Sequence, residues 1–93
     1  MENISEVSLN KFSLFVYDND WVGSTIIRDL FWEPHIEKFL KVNLSKDDVF
    51  LDAGSNYGYH SIVSSLLCKK VYSFEPQKKL FDIQNLTIEK NKI

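Results

Sequence analysis

Residues 49–61 read VFLDAGSNYGYHS. The first five, VFLDA, form a short apolar run of the kind found in a strand buried on both faces. An acid, Asp52, stands near its end, and Gly54, Asn56 and Gly58 follow within a few positions. Beyond them Ile62, Val63, Leu66 and Leu67 recur at helical spacing, and Lys69 and Lys70 fall where a helix dipole favours cations. VYSFE, residues 71–75, reads as a second buried-type strand. Pro76 then opens another helix, with Leu80, Ile83 and Thr87 on one face and Phe81 and Ile88 beside it. The order is strand, glycine loop, helix, strand, helix, a unit for which parallel strands and a right-handed crossover are expected.

Upstream the pattern is less regular. FSLFVY, residues 12–17, has the aromatic and β-branched content of a strand, and Asp18, Asn19 and Asp20 close it as turn residues. Residues 21–31 admit a second hairpin strand or a helix. Asp20 as N-cap and a shared face of Ile26, Ile27 and Leu30 favour the helix. Trp21 and Trp32 are expected to anchor the core. A clearer helix begins near Pro34, with Ile36, Phe39 and Leu40 as its stripe, and Asn43 and the polar run from Ser45 to Asp48 return the chain.

Composition narrows the classes of function. At 93 residues the chain is at most one small domain, with 44% hydrophobic and 14% aromatic residues, which is globular rather than disordered. Eleven basic residues against thirteen acidic ones give a net charge of −2. There is no basic stripe to neutralise a run of phosphates, which argues against nucleic acid, and no polybasic membrane-surface segment. The N-terminal residues lack the basic start and continuous apolar core of a secretion signal, so a soluble, cytoplasmic protein is expected. Cys68 stands alone and reads as a reduced, partly buried thiol at a helix end. His35 and His60 are the only histidines, so no metal site is expected. For the same reason of compartment, the acceptor patterns at Asn43 and Asn85 are set aside.

A glycine loop at the carboxyl end of a parallel strand makes a binding site for physical reasons. Glycine allows the tight turn and lets a ligand approach the backbone, while the following helix directs free N–H groups at the same spot. Two acids restrict the ligand. Glu75 ends the second strand, 23 positions after Asp52 (75 − 52), where an acid accepts hydrogen bonds from ribose hydroxyls. Asp52 would lie close to a dinucleotide's pyrophosphate, a poor electrostatic match, yet it would welcome a cationic amino-acid group. S-adenosylmethionine carries ribose hydroxyls, an ammonium and a sulfonium, and no phosphate, so it fits the two acids better than NAD does.

These residues also carry a family resemblance. D-A-G-S-N-Y-G-Y-H-S, residues 52–61, resembles the D-x-G-A-N-x-G-y-y-S/T motif of the FkbM-type methyltransferases, which use S-adenosylmethionine. VYSFEP, residues 71–76, resembles that family's V-x-x-F-E-P motif, and the closing NLTIEKNKI is similar to the helix that follows it. Trp32-Glu33 resembles an aromatic–acid pair that the family carries ahead of its first motif. Ser55 departs from the usual alanine. The resemblance covers residues 48–93 closely and about residues 17–47 loosely.

The resemblance implies an α/β fold, the Rossmann-like class I methyltransferase fold, of which the chain would supply the N-terminal βαβ portion (48–93) and an N-terminal extension (1–47). It assigns Asp52 and Gly54 to the methionine end of the cofactor, Asn56 and Gly58 to shaping the loop, and Glu75 to the ribose. Glu33 reads either as a helix-start acid or as a cofactor contact, His60 as a capping or solvent-facing residue, and Tyr57 and Tyr59 as walls or packing. The implied reaction is O-methylation of a hydroxyl on a sugar or secondary metabolite. No residue here stands out as a catalytic base. Adenine loop and acceptor pocket are both missing from the pattern. The chain therefore reads as part of a longer or split enzyme, with a second polypeptide completing the fold as one implied partner. By itself it is expected to bind cofactor weakly and turn nothing over. Two other readings are a non-catalytic cofactor-binding or assembly module and an NAD-binding Rossmann fragment, the latter opposed by Asn56 in place of the second glycine.

Overall fold

The computed structural model describes residues 3–93. It is a mixed α/β structure with two two-stranded sheets and four helices. The first sheet pairs β1 (Ile4–Ser8) antiparallel with β2 (Ser13–Tyr17), with Val7 opposite Leu14 and Ser5 opposite Val16. Two helices follow, α1 (Trp21–Asp29) and α2 (Pro34–Asn43). The second sheet pairs β3 (Val49–Ala53) parallel with β4 (Lys70–Phe74), in a register that sets Asp52 beside Ser73. α3 (Tyr59–Ser65) joins these two strands and α4 (Lys78–Asn91) follows them.

The expected order from residue 49 onward is present, including the parallel pairing. The β1 strand has no counterpart in the sequence reading. In ISEVS only Val7 is buried, so the run has little apolar signal, and its strand character comes from its pairing with β2.

One core joins the two halves of the chain. Val7, Leu14 and Val16 of the hairpin pack with Ile26 of α1, with Tyr57 of the glycine loop, with Tyr59 and Val63 of α3, and with Leu80 and Ile83 of α4. The free edge of β2 is also closed. Its outward N–H groups at Ser13, Phe15 and Tyr17 donate to Asn91 Oδ1 (2.9 Å), Thr87 Oγ1 (2.9 Å) and Tyr57 Oη (3.2 Å). Asn91 returns a bond from Nδ2 to the Ser13 carbonyl at 2.7 Å. An edge that would otherwise present unpaired donors is therefore matched by side chains.

Asp20 caps α1 as its sequence predicts, accepting from Gly23 N at 2.5 Å. It also accepts a hydrogen bond from the Tyr57 hydroxyl, which ties the start of α1 to the glycine loop. Gly23 is fixed by crowding: a Cβ there would lie 1.9 Å from the Tyr17 carbonyl oxygen.

Several apolar residues lie elsewhere than their spacing implies. Trp21 is 74% exposed and touches Trp32 edge-on at 5.9 Å, so it does not anchor the core, and Trp32 is only half-buried. Of the α1 and α2 stripes only Ile26 and Leu40 are buried, whereas Ile27, Leu30, Ile36 and Phe39 are exposed. The stripes are real, but nothing among the described residues packs over their outer parts. The same holds for the parallel pair. VFLDA was expected to be buried on both faces, yet Val49, Leu51, Tyr72 and Phe74 form a bare outer face and only the opposite face is half-covered.

Helix ends differ as well. α3 stops at Ser65, so Leu66 is its exposed C-cap and Lys70 already belongs to β4. The two lysines thus do not serve that helix's dipole. β4 ends at Phe74, one residue before Glu75, and α4 starts at Lys78 rather than at Pro76. The face of Leu80, Ile83 and Thr87 is buried as expected. Among the described residues, no helix is long and apolar enough to cross a membrane.

Candidate functional site

The chain turns sharply at the end of β3. Gly54 (φ 76°), Asn56 (φ 56°) and Gly58 (φ 87°) all take left-handed backbone. Gly54 N and Ser55 N both donate to the Phe74 carbonyl, at 2.7 and 3.1 Å, which extends the strand pairing into the loop. A Cβ at Gly54 would meet nothing within 4 Å, so this glycine leaves open space above the loop. Gly58 differs: a Cβ there would lie 2.9 Å from Cγ of Gln84, so its bareness allows α4 to pack.

A buried polar chain runs beneath the loop. Ser55 donates to Gln84 Oε1 at 2.7 Å, and Gln84 Nε2 donates to Ser73 Oγ at 2.8 Å. The Ser73 and Ser61 hydroxyls are 3.0 Å apart, and Ser61 donates to Asp52 Oδ2 at 2.6 Å. Asp52 is thus aimed by a chain of four other side chains, and its Oδ1 makes no hydrogen bond to the described protein. The Ser55 hydroxyl is the far end of this chain of hydrogen bonds.

Glu75 has a different setting from the one expected. Its Oε1 accepts from Asn56 N at 2.7 Å and its Oε2 from Gln77 N at 2.9 Å. Both oxygens therefore fasten backbone, one in the loop and one at the start of α4, and contact with a ribose would use the remaining lone pairs.

Asp52, Gly54 and Asn56 line a cavity of about 70 Å³ together with Trp32, Glu33, Tyr57, Tyr59 and His60. Gly58 and Glu75 are not part of its wall. Glu33 stands both at a helix start and in the cavity wall, whereas His60 neither caps a helix nor faces solvent. Glu33 sits at the N-cap of α2 with φ 44°, but its side chain makes no capping bond. Its carboxylate instead meets His60 Nε2 at 2.9 Å. His60 is only 18% exposed at its side chain, so it does not face solvent.

Two polar atoms in this wall are buried without partners, Asn56 Oδ1 and His60 Nδ1. A buried acceptor left unpaired costs about 1–3 kcal/mol. Left-handed backbone at a residue other than glycine costs roughly 1–2 kcal/mol. Of the four non-glycine residues with positive φ among those described, Leu30 and Lys92 are helix C-caps, whereas Glu33 and Asn56 line this cavity. Strain and unsatisfied polar atoms thus fall in one place, as they do at ligand sites. Neither pairing was legible in spacing, since Glu33 and His60 are 27 positions apart.

No family model, curated protein or solved structure matches this chain.

The two loop tyrosines hold the site to the rest of the chain. Tyr57 is buried, and burial together with its bond to Asp20 raises its hydroxyl's pKa well above the ordinary value. Tyr59 is raised in the same way by burial and by donating to Glu37 Oε1 at 2.6 Å. For Glu37 burial acts upward, but the bonds from Tyr59 and Lys41 outweigh it and leave the carboxyl below its usual range. All three keep the protonation state that their hydrogen bonds require at neutral pH. α3 has seven residues, so the loop rather than the helix dipole supplies the polar groups that face the cavity.

Proposed function

We propose that this chain binds S-adenosylmethionine through residues 52–58 and serves methyl transfer, with a hydroxyl on a sugar or secondary metabolite as acceptor. On this reading its parallel pair is the start of a Rossmann-like sheet. The observation that carries the proposal is the donor set at the strand ends. Asp52 offers an unpaired carboxylate oxygen, and Asn56 Oδ1 beside it is a buried acceptor without a donor. A ligand end bearing N–H⁺ groups and positive charge answers both, whereas a pyrophosphate would meet carboxylate and acceptor oxygens.

The cavity of about 70 Å³ is below the size of a whole-cofactor pocket, roughly 300 Å³ or more. It suits the ammonium end, with the rest of the molecule lying over Gly54 toward Glu75. Gly54 leaves that approach free of side chain. When bound, the cofactor supplies the methyl group on its sulfonium, and the chain's residues contribute binding and orientation.

Titration of the full chain with S-adenosylmethionine and with NAD, followed by amide chemical shifts, tests this. Weak binding of S-adenosylmethionine is expected, with shifts at Gly54, Asn56 and His60 and little response to NAD. Asp52→Asn should weaken the binding about tenfold, the value of a charge-assisted hydrogen bond. A stronger response to NAD, or affinity unchanged in Asp52→Asn, would refute the proposal.

A further inference from the structure

Tyr59 lines two cavities, the one at the glycine loop and a larger one of about 200 Å³ bounded by the β1–β2 turn, α2 and α3. We propose that this second cavity binds a single-chain carboxylate of medium length, its tail inside and its head among the lysines of the rim. The proposal is independent of the glycine-loop reading.

The wall is mixed: Leu9 and Phe12 of the hairpin turn and Val63 and Leu67 of α3 and the residues after it give it an apolar part, and Asn10, Glu37 and the lysines a polar one. Around the mouth Leu30, Phe31 and Leu66 remain exposed. Large apolar side chains left bare around a concave site mark a place where an apolar ligand is buried. At about 30 Å³ for each water-sized group, the cavity takes roughly seven such groups, the tail of a six- to eight-carbon chain.

The rim fixes the charge of the ligand. Lys11 and Lys41 line the cavity, and Lys38 lines a shallower trough that continues from it over Phe31, Pro34 and Val42. The carboxylate on the same rim, Glu37, is already bonded to Tyr59 at 2.6 Å and to Lys41 at 2.9 Å. Lys11 and Lys38 have no ion-pair partner among the described residues. Three lysines against one carboxylate leave two positive charges in surplus, on a chain whose net charge is −2. An ammonium head would be repelled there, and a neutral head would leave the surplus unanswered.

Isothermal titration of the full chain with the straight-chain carboxylates from butanoate to octanoate reads both features. Each added methylene should tighten binding about fourfold, with the gain levelling off beyond octanoate as the cavity fills. Octylammonium and octanol should bind at least tenfold more weakly than octanoate. Leu66→Trp, at an exposed rim position, should close the mouth and abolish binding with the melting temperature unchanged. Lys11→Gln and Lys38→Gln should each weaken octanoate about two- to fivefold at low salt, the range of exposed ion pairs. Affinity that ignores chain length overturns the proposal, and so does octylammonium binding as well as octanoate. A dimer that buries the groove and that octanoate leaves intact in sedimentation also overturns it.

Discussion

The two sheets have the same number of strands and strands of the same length, five residues each, yet they are built in opposite ways. In the antiparallel pair, β2 has β1 on one edge and the side chains of Thr87, Asn91 and Tyr57 on the other, and its Leu14 and Val16 are fully buried. In the parallel pair, one face lies open to solvent at Val49, Leu51, Tyr72 and Phe74. The glycine loop hangs from the open pair but is fastened to the closed one through Tyr57 and Tyr59. Rigidity at the candidate site is thus imported from the hairpin side. Asp52, on the open pair, is positioned by the serine and glutamine chain beneath the loop instead.

The contrast is easiest to break at Gly23. An alanine there would push its Cβ against the Tyr17 carbonyl oxygen at 1.9 Å, and that oxygen belongs to backbone that cannot yield without moving β2. Gly23→Ala should destabilise the chain by about 3 kcal/mol or more. Thermal unfolding would show it as a large drop in Tm, with the loop amides perturbed as well. A change within 0.5 kcal/mol, the ordinary range of surface substitutions, would mean that the hairpin side is as loose as the parallel pair.

A smaller effect is expected at the closed edge. Thr87 is fully buried, and its hydroxyl accepts from Phe15 N at 2.9 Å. Thr87→Val keeps the shape and removes the acceptor, leaving a half-buried N–H unsatisfied. The expected cost is about 1–3 kcal/mol, measured by urea unfolding with m unchanged. Exchange of the Phe15 amide should accelerate more than that of its neighbours. If the edge matters less than the sheet itself, exchange will be unchanged.

How legible all this was in the sequence depends on distance along the chain. α4 was readable because Leu80, Ile83 and Thr87 share one face and that face is buried. The loop was readable because Asp52, Gly54 and Asn56 act within a few residues of one another. Where partners are remote the reading fell short. The ion pair of Glu33 depends on His60, 27 residues on, while β1, though its partner is the next strand, has only Val7 buried and so little apolar signal. Gly58 is needed because Gln84 packs against it, a reason that lies in another helix. Apolar periodicity marked Ile36 and Phe39 correctly as one stripe, but a stripe does not state what covers it, and here both are exposed.

The smallest effect tests the open side. Leu51 is 64% exposed on the outer face of β3, between the exposed Val49 and Ala53. Threonine, being β-branched, suits a strand, and it adds a hydroxyl that water can satisfy. Leu51→Thr should therefore change stability by no more than about 0.5 kcal/mol, whereas Leu14→Ala, on the closed sheet, should cost about 2–5 kcal/mol. The pair of measurements sharpens the comparison, because both remove a leucine from within a five-residue strand and differ in what surrounds it. A cost above 2 kcal/mol for Leu51→Thr that grows with protein concentration would show that the outer face is buried between molecules in solution. Concentration-independent melting with a small cost would confirm that this face stands open in the isolated chain, and that the loop's order comes from the hairpin and the side-chain network alone.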